Sequence, residues 1–157
     1  MVVHSFIFVE RYYLKIKEHN IMYPEYLVAP MRQELVDAGF EELKTPEEVE
    51  SAIPSEGTVF LVVNSVCGCA AANARPAAKS AIDNEKHPSK LVTVFAGMEK
   101  EAVDKAREFM LPYPPSSPAM ALFKDGQLVH MIERHNIEGK PAGMIAENLV
   151  AAFNEHC

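Results

Sequence analysis

Thr58-Val59-Phe60-Leu61-Val62-Val63-Asn64 is an unbroken apolar run, and it constrains the fold more than any other segment. A strand that covers only one face of a sheet alternates apolar and polar residues. A run without alternation is buried on both faces. Its β-branched content and turn-like flanks make it a central strand. Cys67-Gly68-Cys69 follows at once, and then an alanine-dominated helix runs from Ala70 to Ile82. Small side chains let that helix lie close on a sheet. Pro76 inside it predicts a kink, because it lacks a donor and clashes with the preceding turn.

The rest of the chain supplies further elements. Pro30 suits a first helical position, Met31, Leu35 and Ala38 share one face, and Gly39 is a natural C-terminal cap. Thr45-Pro46-Glu47-Glu48 reads as a capping box opening a short helix. Lys90 to Ala96 is a second buried strand. Glu99 to Leu111 is a helix with Ala102, Val103, Ala106, Phe109 and Met110 on its apolar side. Pro112, Pro114, Pro115 and Pro118 impose an extended loop. Ala119 to Lys124 is a third strand, and Asp125-Gly126 is a hairpin signal that returns Gln127 to Arg134 antiparallel. Pro141 opens a last helix carrying Ile145, Leu149 and Phe153. The order from residue 58 is β-α-β-α-β-β-α. Both helical crossovers predict parallel, right-handed units, with the hairpin as an antiparallel edge.

The 157 residues suggest one domain with an ordinary core. Residues 1–21 differ in pattern, stand apart as an N-terminal extension, and are followed by Met22 as an alternative start. The domain itself spans 22–157. No basic residue precedes the short apolar stretch Val2 to Val9, so no export signal is expected and the chain reads as cytoplasmic. With 15 Lys+Arg against 22 Asp+Glu the net charge is −7, which disfavours nucleic acid and anionic membranes as partners.

Three cysteines in such a chain do not make a disulfide scaffold. Cys67 and Cys69 lie between a buried strand and a helix start. Unpaired N–H groups and the helix dipole there favour negative charge, so a thiol ionises more readily and becomes a nucleophile. Cys67 is the candidate attacking thiol and Cys69 the resolving or modulating one. Gly68 lends the backbone freedom to bring the two sulfurs together. A disulfide across one residue closes a small, strained ring, which favours exchange over strong reduction. Two other readings stay open. Cysteines at this spacing also serve as small buried hydrophobes. Alternatively, Cys67, Cys69, Cys157 and a histidine would form a zinc set, although no second closely spaced ligand pair is present.

The strand–Cys-Gly-Cys–helix order resembles the thioredoxin-like fold. The expected architecture is α/β, a central mixed four-stranded sheet flanked by helices. Ser117-Pro118-Ala119-Met120-Ala121-Leu122-Phe123-Lys124-Asp125-Gly126 looks like the cis-proline loop, strand and hairpin of that fold. Asn64-Ser65-Val66-Cys67-Gly68-Cys69, Ala74-Arg75-Pro76-Ala77, Leu91 to Gly97, Tyr113-Pro114-Pro115-Ser116-Ser117-Pro118 and Glu133-Arg134-His135 resemble the bacilliredoxin family more closely. The resemblance runs from about Met22 to the C-terminus. It implies a cis Ser117–Pro118 bond facing the cysteines, with Ser117 pairing its backbone to substrate. It also implies a thiol–disulfide oxidoreductase that removes bacillithiol from client proteins carrying mixed disulfides. Bacillithiol, or another low-molecular-weight thiol, is then a co-substrate, and no bound cofactor or metal is expected. A disulfide isomerase or reductase using the same cysteines is the alternative chemistry. A non-catalytic metal-binding or interaction module is the alternative class. Cys-Gly-Cys in place of Cys-x-x-Cys, and the lack of tryptophan, depart from ordinary thioredoxins.

Gly68, Ser117, Pro118 and Arg75 are the expected substrate-binding residues. Arg75 would take an anionic group, such as a bacillithiol carboxylate, unless it serves as a solvated helix residue or a partner for a nearby carboxylate. Asn64 suits hydrogen bonds to the loop around the cysteines. Arg134 and His135 are expected to end the fourth strand, away from the cysteines and in structural or surface roles. Cys157 reads as incidental.

Overall fold

The computed structural model describes residues 22–157; the expected extension over residues 1–21 lies outside them. Helix α1 (Glu25–Asp37) precedes strand β1 (Glu41–Glu42), α2 (Pro46–Ala52) and β2 (Thr58–Asn64). A π-helical stretch, Ala70–Ala74, runs into α3 (Arg75–Ala81), followed by β3 (Lys90–Phe95) and α4 (Lys100–Phe109). The hairpin β4 (Ala119–Lys124) and β5 (Gln127–Ile132), the short α5 (Arg134–Ile137) and α6 (Ala142–His156) complete the chain.

The strands form one mixed sheet in the order β1-β3-β2-β4-β5. All seven residues of β2 are buried, as the unbroken apolar run requires. Alternation along β2 divides the core between two faces. Phe60 and Val62 pack with α3 and α6. Val59, Leu61 and Val63 pack with α2 and α4. The Thr45 box forms as expected: the Thr45 hydroxyl accepts the Glu48 N–H at 3.2 Å and the Glu48 carboxylate accepts the Thr45 N–H at 3.2 Å.

Five features differ from the sequence reading. The sheet has five strands rather than four, because β1 adds to the edge of β3 with Glu41 opposite Val92. Two acidic residues have no strand pattern of their own and pair only because β3 offers a free edge. The second helical crossover is not parallel: β4 runs antiparallel to β2, with Ala119 opposite Val63. Asn64 lies opposite Phe95, so segment 96–118 leaves and re-enters the sheet at the same end. The strand it feeds must run back.

Helix α1 starts at Glu25, with Pro30 inside it rather than at its first position. The lost bond frees only the carbonyl of the strongly exposed Tyr26, where water can replace it. Ahead of Pro76 the helix widens: the Arg75 N–H reaches five residues back to the Ala70 carbonyl. This π-helical turn takes the place of the expected kink. Strand β5 stops at Ile132, because Glu133 caps α5 through a reciprocal box with Asn136. Arg134 and His135 therefore begin a helix.

Candidate active site

Strand β2 delivers Asn64 and Ser65 to the end of the sheet, and the chain turns into a helix at Cys67. The Cys67 carbonyl accepts the N–H groups of Ala70 and Ala71 at 3.0 and 3.3 Å, so Cys67 occupies the helix start. The Ser65 hydroxyl accepts the Cys67 N–H at 3.2 Å. Asn64 Oδ1 accepts the Ser65 N–H at 2.9 Å, and Asn64 Nδ2 donates to the Met31 carbonyl at 3.1 Å. The loop is thus held by side chains whose own positions are fixed by β2 and α1.

Cys67 and Cys69 are both partly buried, free thiols. Burial by itself raises the pKa of Cys67. Hydrogen bonds from Cys69, Ser65 and the Ala70 N–H, with the positive charge of Arg134, outweigh it and hold Cys67 below an ordinary thiol. Burial pushes Cys69 up, and its neighbour Cys67 pushes it further. Cys67 is therefore the more readily ionised thiol, and Cys69 donates a hydrogen bond to it. Cys69 also packs against the core cluster beneath α3 and α6.

Cys67 and Ser117 line a common cavity of about 440 Å³. The Ser117–Pro118 bond is cis, and so is Leu111–Pro112. Pro118 is buried and Gly68 is exposed. A Cβ added at Gly68 would meet nothing within 4 Å, so the space around it does not demand glycine here.

Of the places expected for Arg75, the structure gives the one beside a nearby carboxylate. It is neither solvated nor turned to the cavity; only 2% of it is exposed. Its Nη1 donates to Asn64 Oδ1 at 3.0 Å and to the Ser65 carbonyl at 3.1 Å, and its Nε pairs with Glu34 at 3.2 Å. It braces the loop from beneath, and those bonds occupy the group that was to meet substrate.

Arg134 departs from its expected place. It lines the cavity with Cys67, and its Nη1 donates to the Ser117 carbonyl at 3.0 Å. Reading Gln127 to Arg134 as one strand sent it away from the cysteines. The Glu133–Asn136 spacing was the signal for a helix start that brings it back. His135 is exposed and is not among the residues lining the cavity. Lys100, Asp104 and Arg107 of α4 also line it. From sequence alone they are an ordinary solvated helix face, with no signal of a site.

Cys157 lies beside Thr58, at the opposite end of β2 from Cys67. The zinc set that joined Cys157 to the pair is contradicted by this separation. Among the described residues, no group of three or more His, Cys, Asp or Glu side chains could hold a metal ion. No helix among them is long and apolar enough to cross a membrane.

Solved structures with this architecture include the thioredoxin of Fasciola hepatica, with a TM-score of 0.54 at 17% identity over 75% of this chain and 100% of that one. The thioredoxin of Malassezia sympodialis gives 0.53 at 16% identity over 75% and 90%. These establish a thioredoxin fold. At the sequence level, a bacilliredoxin of Cytophaga hutchinsonii is 60% identical over 85% of this chain and 99% of its own length. Another, from Halalkalibacterium halodurans, is 57% identical over 88% and 97%. The family model described as Disulphide isomerase matches residues 23–157. With cysteines in place, fold and relatives in agreement, this chain belongs to the bacilliredoxin family.

Proposed function

We propose that this thiol–disulfide oxidoreductase removes bacillithiol from proteins that carry it as a mixed disulfide. The observation that carries the reading is the lowered pKa of Cys67 beside the raised pKa of Cys69, at the wall of a cavity that Ser117 shares. The Cys67 thiolate attacks the bacillithiol sulfur. The bond between that sulfur and the client breaks, and the client leaves as a thiolate that takes a proton from solvent. Cys67 now holds bacillithiol in a disulfide. Either Cys69 attacks Cys67 and releases bacillithiol, leaving a Cys67–Cys69 disulfide, or a second bacillithiol thiolate takes the first away as its own disulfide. The second route is the less strained one, because a ring across Gly68 alone is small. The bacilliredoxin names of the relatives support the choice of thiol. The cytoplasm, where small thiols are kept reduced, is the compartment this chemistry suits.

Intact-protein mass spectrometry during turnover tests this. Reduced protein is mixed with a client carrying bacillithiol, using the natural sequence, Cys67→Ala and Cys69→Ala. The expected result is client release with a bacillithiol adduct trapped on Cys67 in Cys69→Ala, and no release by Cys67→Ala. No adduct and no release, alongside activity on scrambled protein disulfides, would replace this reading with a disulfide isomerase.

A further inference from the structure

The cavity beside Cys67 carries a charge pattern that the exchange chemistry does not use. Lys100, Asp104 and Arg107 project from one face of α4, and Arg134 enters from α5. Three cations thus face one carboxylate, in a chain whose net charge is −7. The carboxylate is already met, because Lys100 pairs with Asp104. Arg134 is committed to Glu138 and to the Ser117 carbonyl.

Arg107 is different. Among the described residues none forms an ion pair with it, and its Nε is buried without a hydrogen-bond acceptor. A buried, charged donor without an acceptor is costly. An anion entering the cavity meets the part of this unpaired guanidinium that lines it, and a guanidinium fork matches a carboxylate. The cavity, about 440 Å³, is of a size that takes a small molecule.

We infer that Arg107 is a specificity determinant: it binds a carboxylate of the low-molecular-weight thiol while the sulfur of that thiol meets Cys67. The inference rests on the exchange reaction proposed above and adds the class of thiol, one with an anionic group within reach of its sulfur. The role first assigned to Arg75 thereby passes to a residue on a different helix. Lys100, already paired, adds to the local positive field without being the primary contact.

The test uses one client protein loaded in turn with mercaptopropionate, mercaptoethanol or cysteamine, which are anionic, neutral and cationic. Keeping the client constant assigns any difference to the small thiol rather than to acidic residues of the client. Each release rate is normalised to the rate with dithiothreitol, which removes intrinsic reactivity. The natural sequence is expected to prefer mercaptopropionate, with cysteamine slowest. Arg107→Gln lowers the ratio of the mercaptopropionate to the mercaptoethanol rate about tenfold, and Arg107→Glu places cysteamine ahead. Equal normalised rates in the natural sequence, or ratios that neither variant changes, overturn the inference. Refusal of a bacillithiol-loaded client with the Arg107-dependent preference intact removes bacillithiol as substrate and leaves the subsite. Removal of bacillithiol with no Arg107-dependent ratio does the reverse.

Discussion

Ser65 serves Cys67 through both functions of its hydroxyl. The oxygen accepts the Cys67 N–H at 3.2 Å, which fixes the turn, and the hydroxyl also hydrogen-bonds the Cys67 sulfur. Burial works against the thiolate, so each hydrogen bond to it counts. The sign for pH dependence follows directly. A thiol held below its ordinary value is ionised, and so reactive, at lower pH; one pushed up needs higher pH. Iodoacetamide alkylation followed by mass spectrometry across pH is therefore expected to modify Cys67 at lower pH than a free thiol. Cys69 is expected to react only at higher pH. Ser65→Ala shifts the Cys67 profile towards higher pH. A Cys67 profile identical to that of a free thiol would remove the proposed division of labour. Arg75 illustrates the same economy at greater depth: one buried guanidinium satisfies Asn64, the Ser65 carbonyl and Glu34 together.

The β4–β5 hairpin shows how an element is anchored by its turn. Asp125 and Gly126 both have positive φ, 49° and 79°, as a two-residue primed turn requires. The turn is also clamped to the loop before β2. The Asp125 carboxylate accepts the Gly57 N–H at 2.8 Å, and the Asp125 N–H donates to the Gly57 carbonyl at 2.8 Å. A Cβ on Gly126 would stand 3.2 Å from Pro54 Cα, a tight approach to backbone. Gly126→Ala thus meets both strain and crowding. It is expected to lower stability by about 1 kcal/mol or more, read as a fall in the urea midpoint without a change in slope. The site residues lie at the other end of β2, so the exchange rate should hold.

At the scale of the molecule, Phe60 ties the layers together. It stands in the middle of β2, with ring centroids 5.8 Å from Phe40 and 5.2 Å from Phe153. One neighbour follows α1 and the other belongs to α6, so a single side chain joins both ends of the described chain to the sheet. Phe60→Ala is expected to cost about 3–5 kcal/mol in urea unfolding. A loss below about 1 kcal/mol would mean that the surrounding helices collapse into the space.

The features that the sequence determined by itself are those encoded within a few residues. An unbroken apolar run made β2, Thr45 and Glu48 made a capping box, and Asp125-Gly126 made a hairpin. The Cys-Gly-Cys segment between strand and helix put Cys67 at a helix start. Each is a short-range preference of the backbone that tertiary contact reinforced. The remaining features depended on surfaces supplied by distant parts of the chain. β1 exists because β3 has an edge to offer, and β4 runs back because segment 96–118 returns to the end it left. Arg75 is buried because Asn64, Ser65 and Glu34 converge on it, whereas Arg107 and Arg134 reach the cavity because α4 and α5 pack beside Cys67. A charged helix residue has the same local signature whether water, a carbonyl or a substrate awaits its side chain. Only packing decides which of these it meets.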